Sequence, residues 1–170
     1  MARVVLQTFN LLKGHVMIAN ATRLTSAQVE LVRGWDMSKV RQFLHQRKGM
    51  THDDLIELER EYKAFLLAVA ENLGTDIPVS EPVDEFWHTH MLFSTDYADM
   101  SQALLGCECD HYPLLSEEEH ATALVAYQTL TIPTLERIIG APPSEKFWPR
   151  NRCICWSGGK RSLDRRRVAC

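Results

Sequence analysis

Apolar residues recur at helical spacing through most of the middle of the chain. From Ser38 onward Val40, Phe43 and Leu44 keep that spacing, and Gly49 closes the segment. The next segment has a clear start. Thr51 followed by Asp54 has the form of a capping box, and acids crowd the first turns, where the helix dipole favours them. Leu55, Leu58, Tyr62, Phe65, Leu66 and Val69 then line one face. This pattern predicts a helix of about 20 residues ended by Gly74. TDIPVSEP, residues 75–82, reads as a linker by its prolines, with Ser80 and Pro82 supplying the N-cap and first-turn proline of the following helix. A fresh start at Ser94 or Thr95, with Asp96 and Asp99 behind it, predicts helices over 82–93 and 95–105 that are separate or kinked, the second ended by Gly106.

Ser116 and Glu119 form another capping box ahead of Ala123, Leu124, Tyr127 and Leu130, and Pro133 must restart or bend the segment that runs on through Ile138. GAPP at 140–143 ends regular structure, leaving WPRNRCICWSGGKRS as an irregular segment held down by Trp148, Trp156 and the cysteines. Near the N-terminus VVLQTFNLL fits a strand or a short helix, and TSAQVELVRGW starts a helical turn after Thr25 or Ser26. Alternating apolar and polar runs are scarce and no internal repeat is evident. The expected class is therefore all-α: a single-domain irregular antiparallel helical bundle over 1–145, with an irregular, basic, cysteine-containing and partly disordered segment over 146–170.

Composition supports one core, since 170 residues at 45% apolar content can bury a sizeable interior. No run approaches the roughly 20 apolar residues of a membrane span, and Asn10, Lys13, Gly14 and His15 interrupt the opening stretch, so no membrane association is expected and the protein reads as cytoplasmic. Cys107, Cys109, Cys153, Cys155 and Cys170 are read as thiols or metal ligands rather than disulfide staples, because the core is large enough without them. Charge is divided unevenly. Residues 1–145 carry 11 Lys/Arg against 21 Asp/Glu, a net −10, whereas 146–170 carry 8 against 1, a net +7. Such a tail can fold back on the acidic body or recruit a protein partner. Nucleic acid is disfavoured as a partner, since no binding module precedes RSLDRRR.

Chemistry concentrates between Asp84 and Pro113, a stretch holding Asp84, Trp87, His88, His90, Tyr97, Asp99, Cys107, Cys109, Asp110 and His111. On an unbroken helix, Asp84, His88, Thr95 and Asp99 share one stripe, and Phe86, His90, Phe93 and Tyr97 share the opposite one. His88 and His90 therefore diverge and do not chelate one ion, which would need i,i+3 or i,i+4 spacing. Asp84, one turn before His88, can accept its Nδ1 proton and fix the tautomer, orienting a base or a ligand. His111, just past a helix end, can reach the same pocket, with Cys107 or Asp99 as a further polar group. A satisfied core or capping role is the plain alternative for each histidine, and it is the preferred one for His90 on its aromatic stripe. A Cys₄ zinc clip from Cys107, Cys109, Cys153 and Cys155 is also considered, although a single intervening residue within each pair is tighter than ordinary zinc knuckles use.

These residues resemble the motif region of the glycine-rich domain-containing protein-like family, a pattern close to D-V-D-x-x-W-H-x-H-x-L, then Y-x-x-D-C, a glycine, and a histidine before proline. Here Val83, Asp84, Trp87, His88, His90, Leu92, Tyr97, Asp99, Gly106, His111 and Pro113 carry it, and the likeness extends over residues 58–135. Met100 stands where the family usually has cysteine, and Asp110 where a second histidine often sits beside His111. The resemblance implies a helical fold and marks positions without naming a reaction.

Three functions are compatible with these residues. The leading expectation is a buried polar site that binds a divalent metal, zinc first, through His88, Asp99, His111 and Cys107 beside Asp84. The second is a metal-free enzyme acting on a small organic molecule, with His88 as general acid or base, Asp84 as its orienter and Tyr97 or His111 donating to substrate. That chemistry requires a cavity of several hundred cubic ångströms against His88. The third is an interaction module without chemistry.

Overall fold

The computed structural model describes residues 23–158. VVLQTFNLL, Cys170 and the basic cluster after Gly158 lie outside the described residues, and so do the expectations placed on them. The described chain is mostly helical, in keeping with the predicted class, and adds a small antiparallel sheet.

Local signals start and stop most helices. Helix α1, Ser26–Gly34, opens at Thr25, whose side chain accepts from the Gln28 backbone while Gln28 reaches back to the cap. Helix α2, Ser38–Lys48, ends at Gly49 in the left-handed conformation, φ 66°. Helix α3, His52–Glu71, has Thr51 as N-cap, accepting from the Asp54 N–H, with Asp53 and Asp54 in its first turn. It is the central element, packing against α1, α2, α4 (Glu81–Leu92) and α7 (Ile132–Ile139). Tyr62, Phe65 and Leu66 are fully buried on it, and the Phe65 ring lies 5.3 Å from Trp87 and 6.0 Å from Trp148, centroid to centroid. Fully burying one large apolar side chain stabilises by roughly 1.5–3 kcal/mol, so this aromatic cluster anchors α3, α4 and the C-terminal segment together.

Ser80 occupies the N-cap position of α4, yet its hydroxyl donates to the Phe147 carbonyl (2.5 Å) instead of capping, and Pro82 sits in the first turn. Phe93, at φ −90° and ψ 62°, separates α4 from α5, Ser94–Leu105, which Gly106 ends. The expected two-helix arrangement is therefore present. Helix α6, Glu117–Ala126, begins with the Ser116–Glu119 capping box. A π-helical turn, Tyr127–Thr131, joins it to α7. Pro133, having no N–H to give, falls at the start of α7, where the missing donor breaks the α-helical ladder least.

Two segments differ from expectation. TDIPVSEP is not a plain linker, because Asp76–Val79 forms strand β1. The segment after GAPP is not wholly irregular, because Cys155–Gly158 forms β3 between β1 and β2, Asp110–Pro113, antiparallel to both. The prolines are compatible with this because β1 and β2 are edge strands, and Pro78 and Pro113 can each turn the side lacking an N–H away from the ladder. Trp148 does hold the segment down, as expected. It is fully buried and its indole N–H donates to the Glu61 carboxylate at 3.0 Å.

Candidate metal centre

The sheet places His111 on β2 within hydrogen-bond reach of Asp84 in the first turn of α4. On α4, Asp84 and His88 share a face by their i,i+4 spacing, and His88 Nδ1 lies 3.3 Å from Asp84 Oδ2. His111 on β2 meets the same carboxylate from the other side, its Nε2 2.6 Å from Asp84 Oδ1. Asp84 is thus a carboxylate between two imidazoles, whose ring centroids stand 4.5 Å apart. Side-chain exposure grades outward, from 3% for Asp84 through 11% for His111 to 50% for His88, so the cluster is buried at the acid and opens to solvent past His88. Trp87 walls the inner side, its ring edge-on to His111 at 4.5 Å.

An ionised Asp84 only accepts, so the hydrogen bond assigns His111 a proton on Nε2, while His88 brings Nδ1 to ion-pair distance of the same carboxylate. A neutral imidazole can move its proton to the other ring nitrogen, baring the atom that now faces Asp84. One ligand atom from each of Asp84, His88 and His111 lies within 4.8 Å of the others, and among the described residues this is the group of three or more metal-ligating side chains that converges so. Tetrahedral zinc with bonds of about 2.0–2.1 Å spaces its ligand atoms roughly 3.3 Å apart, so side-chain adjustments of about an ångström close the set on an ion. The cluster can hold a metal.

The remaining candidates are placed differently. Asp99 is exposed on α5 and Cys107 is partly buried, and neither belongs to the converging group. The break at Phe93 is the reason for Asp99: the single stripe of an unbroken helix does not continue from α4 into α5. Tyr97 receives the Trp87 indole N–H (3.0 Å) and donates its hydroxyl to the Cys109 carbonyl (2.8 Å), tying α4, α5 and the approach to β2 together. Burial, with Cys109 beside it, raises the pKa of that phenol well above its ordinary value, so it remains protonated. His90 is a core histidine, as its aromatic stripe suggested. It is fully buried, Nδ1 accepts from the Tyr62 hydroxyl (2.9 Å) and Nε2 donates to Asp96 (2.9 Å). The four cysteines do not form a Cys₄ group among the described residues, and all four are free thiols. Burial pushes Cys109 up to about 12 and Cys153 up to about 11.

One neighbour of the site has no counterpart in the sequence reading. Cys155 on β3 is buried near Asp84; burial first, and then the Asp84 charge, push the thiol up to about 12. A distance of 44 positions from His111 conceals that contact, and no local signal announces it.

Two cavities of about 410 and 440 Å³ lie elsewhere. The first is walled by residues including Arg33, Arg41, Lys63 and Ile139, and the second by Trp35, Lys39, Phe93 and Asp96; none of Asp84, His88 and His111 lines either. No helix among the described residues is long and apolar enough to cross a membrane. No protein-family model, curated protein or solved structure matches the chain. Fold and site together define a mostly helical domain with a small sheet and an Asp/His cluster able to hold a metal.

Proposed function

We propose that this protein is a divalent-metal-binding domain whose ion is held by Asp84, His88 and His111, with zinc the preferred ion. The observation that supports the reading is the convergence of two imidazoles on one buried carboxylate from separate elements, α4 and β2. Imidazole with carboxylate suits zinc and its first-row neighbours, whereas magnesium and calcium prefer oxygen alone. The three positions are also among those marked by the resemblance to the glycine-rich domain-containing protein-like family, and membership in that family forms part of this proposal. Free thiols at Cys107, Cys109, Cys153 and Cys155 agree with a reducing compartment, and we place the protein in the cytoplasm on that basis.

Elemental analysis of the full chain purified without a histidine tag tests the reading. About one equivalent of zinc or another first-row metal is expected, lost in His88→Ala and in Asp84→Asn while circular dichroism stays helical. Metal absent from the wild-type protein, with no uptake of added zinc by equilibrium dialysis, refutes it.

A further inference from the structure

Strand β3 brings a fourth side chain of ligand type to the same carboxylate. In the β2–β3 register His111 stands opposite Ser157 and Pro113 opposite Cys155. Directly paired residues share a face, and so do residues two apart on one strand, so Cys155 projects on the His111 side as its diagonal neighbour. On its other flank Cys155 pairs with Val79, leaving the residue in the middle of the sheet and near enough to Asp84 to feel that carboxylate's charge. Asp84 thereby has two imidazoles close to its carboxylate and, on the His111 face of the sheet, a thiol as a third neighbour of ligand type.

Resting on the metal reading above, we propose that Cys155 is the fourth ligand and completes an Asp84–His88–His111–Cys155 tetrahedron around zinc. Its sulfur stands outside the trio whose ligand atoms share the 4.8 Å spacing, so it joins by turning about its Cα–Cβ bond toward the ion. The balance is simple. The ion takes the place of the His111 proton that Asp84 now receives, the thiol proton leaves to solvent as the zinc–sulfur bond forms, and each imidazole keeps one proton on its outer nitrogen.

A thiolate among the donors selects zinc or cobalt over magnesium, calcium and manganese. Four protein ligands make a closed site, so the metal acts as a structural clip fastening β3, and with it the segment carrying Trp148, to α4 and β2. Cys109 and Cys153 serve as internal controls: Cys109 sits by Tyr97, whose hydroxyl donates to its backbone carbonyl, and Cys153 is perturbed by burial alone.

Titration of the metal-stripped full chain with cobalt(II) tests the assignment. Wild-type, Cys109→Ser and Cys153→Ser proteins are expected to show visible ligand-field bands together with a near-ultraviolet thiolate-to-cobalt charge-transfer band. Cys155→Ser is expected to lose the charge-transfer band and at least the roughly 10–100-fold in affinity that even outer-shell changes cost. Ligand-field bands without charge transfer in the wild type overturn the role of Cys155 and leave the Asp84–His88–His111 reading standing. Charge transfer that survives in Cys155→Ser also overturns it, whereas no cobalt uptake at all removes both. Should Cys155→Ser fail to fold, zinc-edge X-ray absorption of the wild type decides: one sulfur at about 2.3 Å supports the assignment and a shell of nitrogen and oxygen alone overturns it.

Discussion

Replacing His90 by glutamine separates the core histidine from the site histidine two positions before it. His90 is fully buried and links the fully buried Tyr62 hydroxyl to Asp96, whose side chain is 44% exposed. Losing the ring strands the Tyr62 hydroxyl, at about 1–3 kcal/mol, while water replaces the lost donor at Asp96 at little cost. The smaller side chain adds about 1 kcal/mol of imperfect packing. The expected destabilisation is therefore about 2–4 kcal/mol, or a fall in Tm of roughly 5–15 °C. The pH dependence is more diagnostic than the magnitude. Burial lowers the His90 pKa below its ordinary 6.5, outweighing the opposing hydrogen bond and charge of Asp96. Below pH 6.5 the unfolded chain binds a proton that the native state refuses, so His90 contributes stability that falls with pH, at up to about 1.4 kcal/mol per unit, until the folded pKa is reached. Glutamine has no such dependence. Urea unfolding of both proteins from about pH 5 to 8 should show a stability difference that is largest at neutral pH and narrows on acidification. A difference that stays constant or widens would mean that His90 is charged in the native state, paired with Asp96, and would refute the reasoning.

Trp148→Phe removes the indole N–H from a Glu61 carboxylate that is fully buried and keeps, among the described residues, the largely exposed Arg60 guanidinium at 3.1 Å; a loss of about 2–3 kcal/mol is expected by urea unfolding at neutral pH, and a loss below about 0.5 kcal/mol would show that Glu61 finds another donor. Native alkylation at about pH 8, resolved by peptide mass spectrometry, should label the partly buried Cys107 well before Cys109, Cys153 and Cys155, whose thiols burial holds at about 12, 11 and 12 respectively; equal rates would contradict their placement.

Legibility in the sequence tracks the range of the interaction that decides each feature. Helix ends depend on groups three or four positions apart, and Thr51, Gly49, Gly106 and the Ser116–Glu119 box all serve where their chemistry indicates. The sheet depends on pairing between residues 76–79, 110–113 and 155–158, each run too short to display alternation and two of them containing proline. Asp76–Val79 therefore reads like a linker and Cys155–Gly158 like an irregular tail. The candidate site divides along the same line. Asp84 and His88 are legible because a helix turn joins them, and the divergence of His88 from His90 comes out of the same arithmetic. His111 requires only that a histidine past a helix end folds back. Asp99 is misplaced by carrying one helix through Phe93, and Cys155 is invisible because β3 alone places it beside Asp84.

That dependence also orders the energetics. Since β3 is the middle strand, losing it leaves β1 and β2 without a shared partner and takes His111 from its seat beside Asp84. Four-residue strands supply little stability of their own, and two-stranded ribbons are marginal in water. What fixes β3 is therefore side-chain chemistry: the Ser157 hydroxyl donating to the Ile77 carbonyl at 2.8 Å, the buried Trp148 upstream, and the Cys155 contact with Asp84. A metal bound at that contact couples ion affinity to the docking of the whole C-terminal segment, because any ion that binds only the docked state stabilises it by mass action. Stripping the ion should then loosen β3 before it loosens α3, whose buried Tyr62, Phe65 and Leu66 belong to a helix that also packs against α1, α2, α4 and α7.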